Sequence, residues 1–174
     1  YTKNLRDNNA KDPVDYQKDI YICRGGRETF EPHFTYHGFR YVEVTGLLRK
    51  PSLRDLTGCV IHSDAPAAGT FACSDSRLNR LMSNILWTQR GNLHSTPTDC
   101  PQRDERLGWM GDAQLFSQAA CFNLNMAAFF TKWCRDIRDA QAPDGRFSDF
   151  SPNPVQSTGQ FLGAPAWADA GVIV

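Results

Sequence analysis

The sequence predicts an α+β protein, with a β-rich first part and a helical second part. Runs of β-branched and aromatic residues between residues 16 and 65 indicate strands. From residue 76 onward the hydrophobic period changes from two to about three and a half residues, which indicates helices. Hydrophobic residues make up 41% and charged residues 22% of the 174 residues, a balance typical of globular chains.

Three short runs carry the β prediction. They are DIYIC at residues 19–23, FRYVEV at residues 39–44 and GCVIH at residues 58–62, and glycines follow the first two. Two or three strands alone leave one apolar face in water, so they do not form a stable sheet. We therefore expect the rest of this sheet to lie outside the sequence, and we expect the chain to be an excerpt of a longer protein.

Three helices are predicted in the second part, over residues 76–90, 112–123 and 126–140, with Ser74 as the first N-cap. Short connections between consecutive helices are typical of an all-α bundle or a helical barrel. The residues expected on the buried faces are Leu78, Leu81, Met82, Ile85 and Leu86 in the first helix, Leu115, Ala119 and Phe122 in the second, and Phe129, Phe130, Trp133 and Ile137 in the third.

Charge and composition narrow the possible partners. Lys+Arg and Asp+Glu are both 19, so no net field attracts nucleic acid or a membrane surface. The sequence contains no run of about twenty apolar residues, so no membrane-spanning helix is predicted. The six cysteines show no paired spacing for a metal or a redox site, which favours buried free thiols over disulfides and predicts neither metal nor cofactor. Cytoplasmic, periplasmic and secreted locations, and the oligomeric state, stay open.

The densest group of functional side chains is DCPQRDERLGWMGD at residues 99–112. An aromatic ring beside carboxylates is suited to sugar chemistry, because a pyranose stacks its apolar face on the ring while the carboxylates accept its hydroxyls. Glu105 and Trp109 are four residues apart, so one helical turn would put them on the same side. The alternative is a structural loop in which Arg103 and Arg106 pair with Asp104 and Asp99.

The longer string DCPQRDERLGWMGDAQ, preceded by STPT, closely resembles the signature of α-L-rhamnosidases of glycoside hydrolase family 78. FTYHGFRYVEVTG and GTFACSDSRLNRL resemble the end of that family's β-domain and the entry into its catalytic domain. GAPAWADAGVIV resembles a later segment. The resemblance covers nearly the whole chain from about residue 16.

The resemblance implies a β-sandwich-type segment followed by the first helices of an (α/α)6 barrel of the six-hairpin glycosidase type. Residues 1–65 would end the sandwich domain, residues 66–75 would be a linker, and residues 76–174 would begin the catalytic domain. The implied reaction is inverting hydrolysis of terminal non-reducing α-L-rhamnose from rhamnose-containing carbohydrates or glycosides.

Site roles follow from the same resemblance, residue by residue. Glu105 matches the general acid, and the substrate-binding residues would be Asp99, Arg103, Trp109, Asp112 and Trp167. Asp99 and Asp112 would hold sugar hydroxyls, and the two tryptophans would be pocket walls. The family's general base lies downstream of residue 174, so we expect the isolated chain to be inactive.

Two other functions fit the same residues. The chain could belong to another inverting (α/α)6 glycosidase with a different sugar specificity, or to a rhamnose-binding homologue without activity. Aglycone and linkage preference cannot be read from these residues.

Overall fold

The computed structural model describes residues 17–100, 103, 105–155 and 159–174. Its described residues form two compact units. The first contains residues 17–61 with Arg103 and Glu105, and the second contains residues 62–100, 106–155 and 159–174.

The first unit contains no strand among its described residues, and a 3-10 helix at Leu53–Asp55 is its one regular element there. The apolar side chains of the predicted strands are exposed, with Ile22 and Tyr41 each 84% accessible and Val60 65% accessible. A strand forms when a neighbour pairs with its backbone and a second layer covers its apolar face. The structure therefore does not confirm the β-sandwich prediction for this segment.

The second unit is built on helices, as predicted. The helices are α1 (Ser76–Gly91), α2 (Met110–Asn123), α3 (Ala127–Asp139) and the short α4 (Ala170–Ile173). Two-residue strands β1 (Leu93–His94) and β2 (Thr96–Pro97) pair in antiparallel fashion between α1 and α2. The N-cap of α1 is Asp75 and not Ser74, because the Asp75 carboxylate accepts the Arg77 backbone N–H at 2.8 Å.

Helix α3 packs as its pattern predicts. Phe129, Trp133 and Ile137 are buried, and Phe130 is half-buried. Phe129 belongs to one hydrophobic cluster, while Trp133 and Ile137 belong to another. The members of the first cluster are Leu93, Ala120, Leu124, Met126 and Phe129, and those of the second are Met110, Trp133, Ile137 and Ala170.

The predicted buried face of α2 is wrong. Leu115 is 82% exposed and Phe122 is 74% exposed, whereas Gln114, Ala120 and Asn123 are buried. A hydrogen bond explains the burial of Asn123, because its side-chain amide donates to Gln89 Oε1 of α1 at 2.9 Å. This polar contact joins α1 to α2.

The predicted face of α1 is only partly covered. Leu78 and Leu81 are 48% and 53% exposed, Met82, Ile85 and Leu86 are half-buried, and Gln89 is the fully buried residue of this helix. The apolar stripe of α1 therefore lies partly at the surface of the second unit.

All six cysteines are free thiols, as favoured, but none is fully buried. Cys121 and Cys134 lie on the outward faces of α2 and α3. Among the helices described, none is both long enough and apolar enough to cross a membrane.

Candidate active site

The centre of the candidate site is a pair of carboxyl groups, Asp99 and Asp112. Asp99 follows β2, and Asp112 lies in the first turn of α2. A hydrogen bond between the two side chains raises the pKa of Asp112, and partial burial and the charge of Asp99 raise it further. Two carboxyl groups can form this bond only when one of them carries a proton, which is why the bond favours the protonated form of Asp112.

The loop before α2 fixes the position of Asp99. Asp99 adopts a left-handed backbone with φ of 58°, which aspartate tolerates better than most residues. The backbone N–H of the preceding residue, Thr98, donates to the Asn92 carbonyl at 2.9 Å. The Cys100 thiol donates to Asp99 Oδ2 with a sulfur–oxygen distance of 3.1 Å. The carboxyl of Asp99 is thus held from its own loop as well as by Asp112.

Trp109 immediately precedes α2 and packs among aromatic rings. Its ring centroid lies 5.0 Å from that of Phe150 and 6.1 Å from that of Phe161, both in edge-to-face geometry. Gly108 allows this approach, because a Cβ at that position would lie 2.1 Å from the Ser151 carbonyl oxygen. The aromatic side chain is therefore fixed next to the first turn of α2.

Trp167 lies against the same turn from a different segment of the chain. A Cβ on Gly111 would come within 2.9 Å of the Trp167 indole, so glycine leaves the space that the ring occupies. The Gln114 side-chain amide donates to the Ala166 carbonyl and ties the two segments together. Trp109, Asp112 and Trp167 are thereby all placed at the start of α2.

Arg103 and Glu105 belong to the first unit, where Arg103 Nη1 lies 4.0 Å from Glu105 Oε1. The predicted helical turn that would align Glu105 with Trp109 is absent, because α2 begins at Met110 and residues 105–109 are not helical. The predicted pairing of Asp104 with an arginine lies outside the described residues.

No motif in the sequence indicates Asp149. It lies between α3 and α4, yet it is 8% exposed, and the nearby Ser148 and Ser151 are buried. Its Oδ1 accepts the Ala164 backbone N–H at 2.9 Å. The one available signal was the pair of aromatic residues Phe147 and Phe150 among small polar residues, a pattern that is too short to be specific.

Within the described ranges, no group of three or more His, Cys, Asp and Glu side chains could hold a metal ion.

Two models of known protein families match this chain. Residues 66–174 match the model of the bacterial alpha-L-rhamnosidase 6 hairpin glycosidase domain. The chain belongs to the bacterial α-L-rhamnosidase family. Residues 1–62 match the model of that family's concanavalin-like domain. Both the predicted family and the helical-barrel part of the predicted fold are confirmed.

Individual rhamnosidases are similar over most of the chain. An alpha-L-rhamnosidase from Streptomyces avermitilis is 50% identical over 175 residues, which cover 100% of this chain and 16% of the relative. One from Formosa agariphila is 39% identical over 90% of this chain and 17% of the relative. The chain spans between 13% and 17% of the length of the curated relatives that it matches.

Solved rhamnosidase structures are similar in fold. The Streptomyces avermitilis α-L-rhamnosidase complexed with L-rhamnose matches with a TM-score of 0.79 and 51% identity, over 84% of this chain and 14% of that one. The α-L-rhamnosidase from Dictyoglumus thermophilum matches with a TM-score of 0.77 and 50% identity, over 83% of this chain and 16% of that one.

Proposed function

We propose that this chain carries the acid side of an inverting α-L-rhamnosidase active site, which hydrolyses terminal non-reducing α-L-rhamnose from rhamnosides. The observation that carries the proposal is the hydrogen-bonded pair of Asp99 and Asp112 at the start of α2, in a chain of the rhamnosidase family. The relatives named as α-L-rhamnosidases, and the one complexed with L-rhamnose, support a rhamnose-containing substrate.

Asp99 and Asp112 are proposed to bind the sugar hydroxyls. Two neighbouring carboxyl groups offer several acceptor oxygens, and a protonated carboxyl group also offers a donor, which suits hydroxyl groups because each of them both donates and accepts. Trp109 and Trp167 are proposed to be the apolar walls, since an aromatic ring can cover the face of a pyranose that carries C–H groups.

Glu105 is proposed to be the general acid that protonates the glycosidic oxygen, with Arg103 beside it as a substrate-binding residue. Inversion also requires a carboxylate that activates water, at roughly 6.5 to 9.5 Å from the acid. The family resemblance assigns that base to a segment downstream of residue 174. The proposal therefore assigns one half of the catalytic pair to this chain.

We extend the proposal to the domain organisation. Residues 1–65 are the end of a β-sandwich domain, residues 66–75 are a linker, and residues 76–174 are the N-terminal part of the (α/α)6 barrel. The family-model matches over residues 1–62 and 66–174 support two domains, and the proposed linker lies within the second match. The exposed apolar side chains of residues 20–61 are suited to a sheet whose partner strands come from elsewhere.

Replacing Glu105 tests the reaction directly. In the complete protein, Glu105→Gln should lower the rate of hydrolysis of an alkyl α-L-rhamnoside by about 10²- to 10⁴-fold, because only the proton donor is removed. Rhamnose affinity, measured by calorimetry, should change little. Glu43→Gln is the matched control, since Glu43 is an exposed glutamate of the same unit.

The same preparation distinguishes the alternatives. Proton NMR of the first sugar released should show β-L-rhamnose if the reaction inverts. Faster turnover of another glycoside in a substrate panel would indicate a different sugar specificity. Rhamnose binding without turnover in the unmodified complete protein would indicate a homologue without activity, and full activity in Glu105→Gln would refute the role of Glu105.

A further inference from the structure

We propose that Asp149 is a positioning residue of the site, which holds the segments carrying Trp109 and Trp167 in register at the start of α2. This inference rests on the proposed function, because it assigns both tryptophans to the sugar pocket. Asp149 itself would touch neither the sugar nor the reacting atoms.

The backbone of Asp149 lies between two segments of the site. Its carbonyl accepts the Met110 N–H at 3.0 Å, directly after Trp109, and its own N–H donates to the Phe161 carbonyl at 2.9 Å. Isolated bridges on both sides, Trp109 with Phe150 and Ser148 with Leu162, continue this pairing. Residues 148–150 therefore act as the middle strand of a short three-segment ladder.

The Asp149 side chain extends the connection to Trp167. Its Oδ1 accepts the Ala164 N–H at 2.9 Å, and the Ala164 carbonyl in turn accepts the Trp167 N–H at 3.2 Å. One residue thus bonds to the backbone beside Trp109 and to the turn that presents Trp167. Since the Trp167 ring packs on Gly111, a shift of this turn would move the indole away from the first turn of α2.

A buried carboxylate at this position needs an explanation. Asp149 is 8% exposed, and burying a carboxyl group costs free energy unless hydrogen bonds satisfy it. The Ala164 N–H supplies such a bond at a single defined point, so the side chain fixes a distance between two segments. An asparagine would keep the acceptor oxygen of this bond, whereas an alanine would remove it.

The test compares Asp149→Ala with Asp149→Asn in the complete protein. Asp149→Ala should raise the dissociation constant for L-rhamnose and the KM for an alkyl rhamnoside by about tenfold or more, since small displacements of positioning groups cost up to 10²-fold. Asp149→Asn should stay within about threefold of the unmodified protein, because the hydrogen bond to Ala164 survives. The near-UV circular dichroism of the tryptophans should change in the alanine variant alone.

Asn123→Ala is the matched structural control. Asn123 is also 8% exposed and also hydrogen-bonded, but its partner is Gln89 in the contact between α1 and α2. It should lower the melting temperature without changing rhamnose affinity. A lower melting temperature with unchanged affinity in Asp149→Ala would overturn the proposal, as would an asparagine variant as weak as the alanine variant.

The proposed function can fail while the positioning role of Asp149 still holds. If the unmodified complete protein binds no rhamnose, the pocket assignment fails, while the near-UV spectra still decide whether Asp149 positions the tryptophans. Unchanged spectra in Asp149→Ala would refute that positioning in any case.

Discussion

At the scale of single residues, the distinctive feature is the bond between Asp99 and Asp112. Adjacent carboxylates repel when both are ionised, and a hydrogen bond between them forms when one is protonated, so both effects favour the protonated form of Asp112. The pKa of Asp112 is consequently raised above its ordinary value of 3.8.

This raised pKa predicts the sign of a pH effect on stability. Between 3.8 and the higher folded-state pKa, the folded protein binds more protons than the unfolded chain, so the pair's contribution to the free energy of unfolding falls as pH rises. In Asp112→Asn the amide can donate to Asp99 without titrating. The melting temperature of the unmodified protein should therefore fall relative to that of the variant as the pH rises above 3.8.

Asp144→Asn is the control for that experiment. Asp144 bonds to Arg146, which lowers the pKa of its carboxyl group, so its contribution is lost when the pH falls. The melting temperature of the unmodified protein should therefore fall relative to that of Asp144→Asn as the pH is lowered. A constant difference in melting temperature between the unmodified protein and Asp112→Asn across the pH range would contradict the raised pKa of Asp112.

At the scale of elements, the first turn of α2 organises the second unit. Two glycines allow close contacts there, Gly108 against the Ser151 carbonyl and Gly111 against the Trp167 ring. Met110, between them, is fully buried with Trp133 and packs the turn onto α3. The glycines in the acidic stretch are therefore explained by packing, and the helix begins only after Trp109.

Adding one methyl group at this turn should separate stability from binding. Gly111→Ala places a Cβ within 2.9 Å of the Trp167 indole and forces the ring to move, so rhamnose affinity should fall. Alanine is the better helix former by up to about 1 kcal/mol, which offsets part of the packing loss. Calorimetric titration with L-rhamnose and a thermal melt of the complete protein would measure both effects.

Gly91→Ala, at the end of α1, is the control for the Gly111 substitution. No atom lies within 4 Å of its added Cβ, so binding should not change. Unchanged affinity in Gly111→Ala would mean that Trp167 is not part of the sugar pocket.

Elements with a strong periodic pattern were predictable, and those held by polar contacts were not. Helix α3 has one apolar face and buries it, so Phe129, Trp133 and Ile137 were assigned correctly. Helix α2 has apolar residues around its circumference, and the bond between Asn123 and Gln89 decides which side faces α1. No local pattern encodes such a contact, because its two partners are 34 residues apart.

The candidate site was proposed from the sequence for a different reason. The string of residues 99–112 resembles a family signature, and this resemblance, not spacing, selected Asp99 and Asp112. The spacing argument for Glu105 and Trp109 failed because residues 105–109 are not helical. Asp149 was missed because its role depends on a hydrogen bond to Ala164, which lies 15 residues away within an irregular loop.

At the scale of the whole molecule, the two units differ in how well they bury their apolar residues. The second unit contains two hydrophobic clusters that join its helices. In the first unit, residues 20–61 expose most of their large apolar side chains, including Ile20 at 75% and Phe39 at 59%. Such segments gain stability only when further structure covers them. The family relationship supplies a candidate cover, because rhamnosidases that match this chain are about six times longer.

These 174 residues alone are not expected to catalyse the reaction. An inverting hydrolase must hold a water molecule between two carboxyl groups, and the resemblance gives this chain only the acid, Glu105. We therefore expect the isolated chain to release no sugar from an aryl α-L-rhamnoside above the level of its own Glu105→Gln variant, while the complete protein turns over. Hydrolysis by the isolated chain that disappears on Glu105→Gln would refute this expectation, because both carboxyl groups would then have to lie within the 174 residues.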